Sequence, residues 1–179
     1  MIADPFDCLW ELDQKIKHQQ QCHQQRYKPQ LNWSGIAFGC GKYPLIMALD
    51  KVLEIIPCHQ LVPLPYARRW LKGLALHRGE LLAITDLQDF ILGEPTVLDH
   101  SAKILISQYE KEPIGLLVSN VCALHRSAAQ NKHPLSAKWQ PLFAPYIKET
   151  LNDKDKQWFI LETENLVTQP SFYQVDIAQ

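Results

Sequence analysis

The chain has 179 residues, 46% of them hydrophobic and 21% charged, which is enough for one domain or for two small halves on a shared core. A formal charge of −1 and a pI near 6.6 give no electrostatic footprint for nucleic acid or an anionic membrane. No apolar run approaches the ~20 residues of a membrane helix, so no membrane insertion is expected.

The opening Met1-Ile2-Ala3-Asp4 lacks a basic-then-apolar leader, and export is not expected. Asp4-Pro5 reads as an N-cap followed by proline at the first helical position. Phe6, Leu9, Trp10 and Ile16 recur at helical spacing, interrupted on the stripe only by Asp13, which predicts an amphipathic helix that docks on its own domain or on a partner. The glutamine-rich run from His18 to Gln25 follows as a linker, so residues 1–31 form an N-terminal appendage to a domain over 32–179.

From Trp33 the pattern is that of short strands, predicted over Trp33–Cys40, Tyr43–Leu49 and Val52–Ile56. Pro57, Pro63 and Pro65 exclude helix from the connection that follows. Leu71–His77 and Leu81–Ile84 then flank the polar step His77-Arg78-Gly79-Glu80, a hairpin in which Gly79 takes the positive φ of a tight turn. The second of these strands is apolar on both faces and reads as central. Thr85-Asp86-Leu87-Gln88 reads as a capping box opening a short helix that Gly93 and Pro95 close. Ala102–Ser107 and Ile114–Val118 form another hairpin, Val121–Leu124 a further strand, and Ser127–Pro141 a long loop. Tyr146–Leu151 and Trp158–Leu161 pair across Asn152–Asp155, Thr163–Val167 is a helical turn, and Phe172–Ile177 is the tail. Nine or ten short strands at even spacing, with no crossover long enough for a βαβ unit, predict an all-β fold of one small barrel or two.

The chain carries no recognisable catalytic constellation. No Gly-x-Ser-x-Gly elbow, His-Glu-x-x-His or Walker loop occurs, and Gly39-Cys40-Gly41 lacks the following helix of a phosphate cradle. The five cysteines, at 8, 22, 40, 58 and 122, form no Cys-x-x-Cys, and Cys22-His23 and Cys58-His59 lack the second spaced pair of a zinc site; they read as inert thiols in a reducing cytoplasm. Asp153, Asp155, Glu162 and Glu164 read as solvated turn charges. Arg78 reads either as a solvated turn residue or as one charge presented rigidly to a partner, and His77 either as a packed edge residue or as a pH-sensitive contact.

The ordered pattern Trp70-x-x-Gly73-x-x-x-x-Arg78-Gly79 with Asp86-Leu87 resembles the core signature of the CheW-like chemotaxis adaptors. Val52-Leu53-Glu54-Ile55-Ile56 upstream and Ile114-Gly115-Leu116-Leu117-Val118 downstream resemble two further elements of that family. The Asp4-Pro5-Phe6 segment, Trp33–Phe38, Ala144-Pro145-Tyr146 and the tail at Phe172 are similar to its branch in type IV pilus twitching-motility systems. The resemblance implies two intertwined five-stranded β-barrels, no catalysis and no cofactor. It implies a cytoplasmic adaptor joining the tip of a chemoreceptor to the regulatory domain of a CheA-type histidine kinase. Arg78, Gly79 and Gly73 match positions of receptor or kinase contact, and Val52 and Glu54 match positions near the receptor groove, with Arg78 and Glu54 expected to pair across it. Two positions depart from the family pattern: Leu76-His77 stands where Asn-Leu is usual, and Ser119 where Asp is usual. A small β-barrel binding RNA or peptide is the alternative, disfavoured for RNA by the missing basic character.

Overall fold

The computed structural model describes residues 33–58, 61–128, 131–153 and 156–174, so the N-terminal helix and linker and the end of the tail lie outside the described residues. The first two strands are β1 (Trp33–Cys40) and β2 (Tyr43–Ala48); a 3-10 turn at Leu49–Lys51 leads into β3 (Val52–Pro57). The hairpin is β4 (Leu71–His77) and β5 (Glu80–Asp86), followed by helix α1 (Leu87–Leu92), β6 (Lys103–Tyr109) and β7 (Glu112–Val118). The chain then runs through β8 (Asn120–Ser127), β9 (Lys132–Pro134), α2 (Gln140–Phe143), β10 (Ile147–Asp153), β11 (Lys156–Leu161), α3 (Thr163–Val167) and α4 (Pro170–Tyr173).

These strands make two sheets, ordered β8-β1-β2-β11-β10-β9 and β3-β6-β7-β5-β4. The chain begins in the first, spends β3 to β7 in the second and returns, which is the intertwining the resemblance implies. The first sheet has six strands instead of the expected five, because β9 forms within the stretch expected to be a loop, pairing with β10 through Lys132, His133 and Pro134. Three residues opposite a longer strand leave too little alternation for a sequence signal. Both sheets contain one parallel pair, β2 with β11 and β5 with β7, each joining strands that are not consecutive in the chain.

Alternation along the strands sorts the apolar side chains into three clusters. Ala37, Ile46, Leu151, Trp158 and Ile160, with Trp33 against them, belong to the first sheet alone. Leu82, Ile84, Ile104, Ile106 and Leu117 belong to the second. The opposite faces, with Phe38, Leu45, Met47 and Phe159 from one sheet and Leu105, Leu116 and Val118 from the other, bury together under α1, α2 and α3. Tyr43, Trp139, Phe143 and Phe159 meet edge-on in this shared core. Trp70 packs on Phe90 of α1 and stacks on Phe172 of α4, which ties the end of the chain to the base of the hairpin.

Helix α1 is capped one residue later than its sequence predicts. Asp86, not Thr85, is the N-cap and accepts the Asp89 N–H, while Gln88 Oε1 accepts from the Gly41 N–H instead of closing the box. Gly93 ends the helix at φ 72°, as expected.

Candidate functional site

The β4–β5 hairpin turns through Arg78 at φ 52° and Gly79 at φ 88°. Two successive left-handed residues give the type I′ turn whose twist suits the flanking strands. Glycine adopts this at no steric cost, whereas a side chain at the first position carries roughly 1–2 kcal/mol of strain. Asparagine or glycine is the relaxed choice there, and Glu110 and Lys111 in the β6–β7 turn carry the same left-handed backbone, so what sets Arg78 apart is its partner and not the strain alone. Its side chain is 76% exposed and projects from the tip.

Glu54 meets it from β3. A register shift between Val52 and Glu54, where β3 pairs with β6, leaves Leu53 as the extra residue of a bulge. Val52 packs against the shared core, and Glu54 accepts a hydrogen bond of 2.6 Å from Arg78 Nη2 to its Oε2. His77 Nε2 lies 3.4 Å from the same oxygen. These contacts span β3 and β4, the two edge strands of their sheet, which share no ladder. The expected Arg78–Glu54 pair is thus formed, and His77 joins it.

Exposed apolar side chains surround this trio in the chain. Leu53 and Ile55, on either side of Glu54, are exposed, as are Leu76 before His77 and Leu81 opposite Leu76 in the ladder. The expectation that β5 is central holds for its place between β7 and β4, yet its outer face is bare: Leu81 is 70% exposed. A cleft of about 490 Å³ opens at Leu53, lined by Asp50, Lys51, Tyr109, Lys111 and Glu164, with Lys51 and Glu164 paired at 3.1 Å.

The remaining residues singled out in the sequence lie elsewhere. Gly73 is buried at φ 136°, where a Cβ would run into the Val62 carbonyl oxygen. Val62 exchanges two 2.8 Å backbone bonds with Leu74 there, so Gly73 admits the connecting segment onto β4 and presents nothing itself. Gly79 shapes the turn and has open space around it. Val52 is half-buried, anchoring β3 rather than lining the exposed face.

A second polar cluster, at the base of the hairpin, escapes the sequence pattern except for Asp86. That carboxylate is fully buried and accepts from Asp89 N–H, Thr96 N–H and Thr96 Oγ1 at 3.2, 2.9 and 2.7 Å, with Lys72 Nζ 3.2 Å away. Lys72 reaches it because a second bulge, between Leu71 and Gly73, turns that side chain aside. Arg69 donates to both Asp89 oxygens, at 2.7 and 2.9 Å, and to the Gly93 carbonyl at 2.6 Å; its hydrogen bond to Asp89 raises its pKa further. Two cations face two carboxylates, and the cluster fixes the hairpin to α1 while the tip stands clear.

Of the acidic residues near the C-terminus, Asp155 lies outside the described residues, and Asp153, Glu162 and Glu164 do not converge. Glu164 pairs with Lys51, Asp153 lies 3.3 Å from His125, and burial pushes the Glu162 carboxyl above its usual range. Cys40 is buried and its thiol is pushed up to about 12 by burial and then by Asp86, the opposite of an activated nucleophile. Among the described residues no His, Cys, Asp and Glu group could hold a metal ion, and no helix is long and apolar enough to cross a membrane.

Residues 34–171 match the CheW-like domain family. The chain is 24% identical over 180 residues to Protein PilI of Pseudomonas aeruginosa, covering 98% of each. Its fold is similar to that of the scaffolding protein TtCheW from Thermoanaerobacter tengcongensis, with a TM-score of 0.65 at 14% identity over 73% of this chain and 88% of that one.

Proposed function

The chain belongs to the CheW-like domain family, and from that premise we propose that it is a non-catalytic adaptor coupling the cytoplasmic tip of a methyl-accepting chemoreceptor to the regulatory domain of a CheA-type histidine kinase. It acts in the cytoplasm, at membrane-associated receptor arrays, in a pathway that controls type IV pilus twitching motility. The likeness to PilI along the whole chain supports the pilus branch, together with the segments that resemble it in sequence.

The observation that carries the reading is the Arg78 tip, paired with Glu54 and flanked in the chain by the exposed Leu53, Leu76 and Leu81. An adaptor needs a surface that is stiff before its partner arrives, since ordering side chains on contact costs affinity. Burial of one exposed leucine contributes ~1.5–3 kcal/mol, whereas an exposed ion pair contributes ~1 kcal/mol or less. The apolar side chains therefore supply the affinity and Arg78 the orientation.

The test is capture of a receptor cytoplasmic-tip fragment and of a kinase regulatory domain by the full chain and by Arg78→Ala. The expected result is capture of both by the wild type and loss of the receptor fragment in the variant, with circular dichroism and melting unchanged. Capture of neither by the wild type overturns the reading, and a variant that loses its fold shows Arg78 to be structural instead.

A further inference from the structure

Glu54 Oε2 stands between a permanent cation, Arg78 Nη2 at 2.6 Å, and a titratable one, His77 Nε2 at 3.4 Å. With the imidazole neutral the trio is balanced, one negative charge against one positive. Arg78 has five N–H donors, and among the described residues its only hydrogen bond is the one to Glu54. The rest of the fork is open to a second carboxylate.

A carboxylate arriving there leaves the tip one negative charge in excess. The group placed to answer it is His77, which is 19% exposed and already against Glu54. The surrounding charges do not compete for that role. Glu80, opposite His77 in the ladder, is acidic, and Lys72 farther along β4 is engaged by Asp86.

Taking the receptor reading above as its basis, we propose that His77 makes this tip selective for a carboxylate-bearing partner segment and couples its binding to the uptake of one proton. The bound state then holds more protons than the free one, so affinity falls as pH rises through the range in which histidines ordinarily lose their proton. An opposite charge brought within ~6 Å of a site favours its charged form, and a displacement of about half to one unit at an exposed position corresponds to roughly a three- to tenfold weakening at most between pH 6 and 8. A partner that instead presented a cation to Glu54 would release a proton and reverse the slope.

Calorimetry of the full chain with a receptor-tip fragment, run at pH 6.5 in buffers of different ionisation enthalpy, counts the protons directly. Net uptake is expected in the wild type and none in His77→Asn, whose affinity should lose the wild type's fall between pH 6 and 8. Zero uptake, release, or uptake that persists in His77→Asn overturns the proposal. A fragment that does not bind at all sinks the receptor reading, and the coupling is then decided on the free protein. At pH 6.5 the His77 ring resonances should move toward neutral imidazole in Glu54→Gln and toward imidazolium in Arg78→Ala; no movement in either variant overturns the coupling.

Discussion

In the six-stranded sheet His125 of β8 meets Asp153 at the end of β10, 3.3 Å away, and Lys132 of β9 covers the Trp33 ring of β1 at 4.9 Å. In the five-stranded sheet the corresponding span, from β3 to β4, is crossed by Glu54 with Arg78 and His77. Both sheets thus bring a histidine and a carboxylate together where their ladders stop. In the first, His125 packs on Trp158, and its Nε2 is buried with no hydrogen-bond partner among the described residues. In the second the histidine and carboxylate are covered to the same degree, and what differs is an added guanidinium most of whose surface meets water. One contact carries no added charge, while the other leaves donors over for a visitor.

The contrast predicts unequal costs. Trp158→Ala, which empties the interior of the first sheet, is expected to destabilise by about 3–5 kcal/mol in denaturant melts, whereas Leu81→Ala on the bare face of the second should stay within about 0.5 kcal/mol. Equal losses from the two would mean that the two faces are packed alike. Asp86→Ala is expected to cost about 3 kcal/mol, because it orphans Lys72 and both Thr96 donors, and to weaken partner capture by loosening the base of the tip.

Arg78→Asn is the sharpest probe of the outward contact. Asparagine tolerates the left-handed turn, so relief of strain offsets the lost ion pair, and the melting temperature should hold or rise while receptor capture is lost. A large drop in melting temperature would make the tip a structural clasp like its counterpart. The smallest effect is at Glu162. Burial raises its folded pKa, so the folded state holds that proton more tightly than the unfolded chain does. Its contribution is fully present below the ordinary carboxylate value and is lost as pH rises through the raised one. Glu162→Gln should therefore stabilise at neutral pH by a few tenths of a kcal/mol, after allowance for its partial exposure, and remove the loss of stability that this group contributes as pH rises.

What the sequence conveyed about this site depended on how local the cause was. The Arg78-Gly79 turn and the Gly93 helix stop are dictated by residues within a few positions, and both stand as read. The Glu54 partnership was legible only through the family pattern, since 24 residues separate it from Arg78. Both bulges were invisible, because an extra residue exists only relative to the strand opposite; one sets Val52 against the core near Glu54 and the other aims Lys72 at Asp86. Gly73 carried a functional expectation from the same pattern, and its packing role appears only once Val62 is seen lying across it. Arg69, Asp89 and Thr96 have no spacing that marks them, and the fold alone makes them neighbours.

Residues 52–118 leave the first sheet after β2 and come back into it at β8, and these two strands lie on either side of β1. On a diagram that excursion could be snipped out and the gap closed with a short splice. In water the cut would strip Leu105, Leu116 and Val118 from the cluster they share with Phe38 and Met47 and bare both surfaces at once. The molecule has no viable half. A truncation meant to isolate one binding function would yield an aggregating remnant, and the dissection of this protein has to proceed by point substitution.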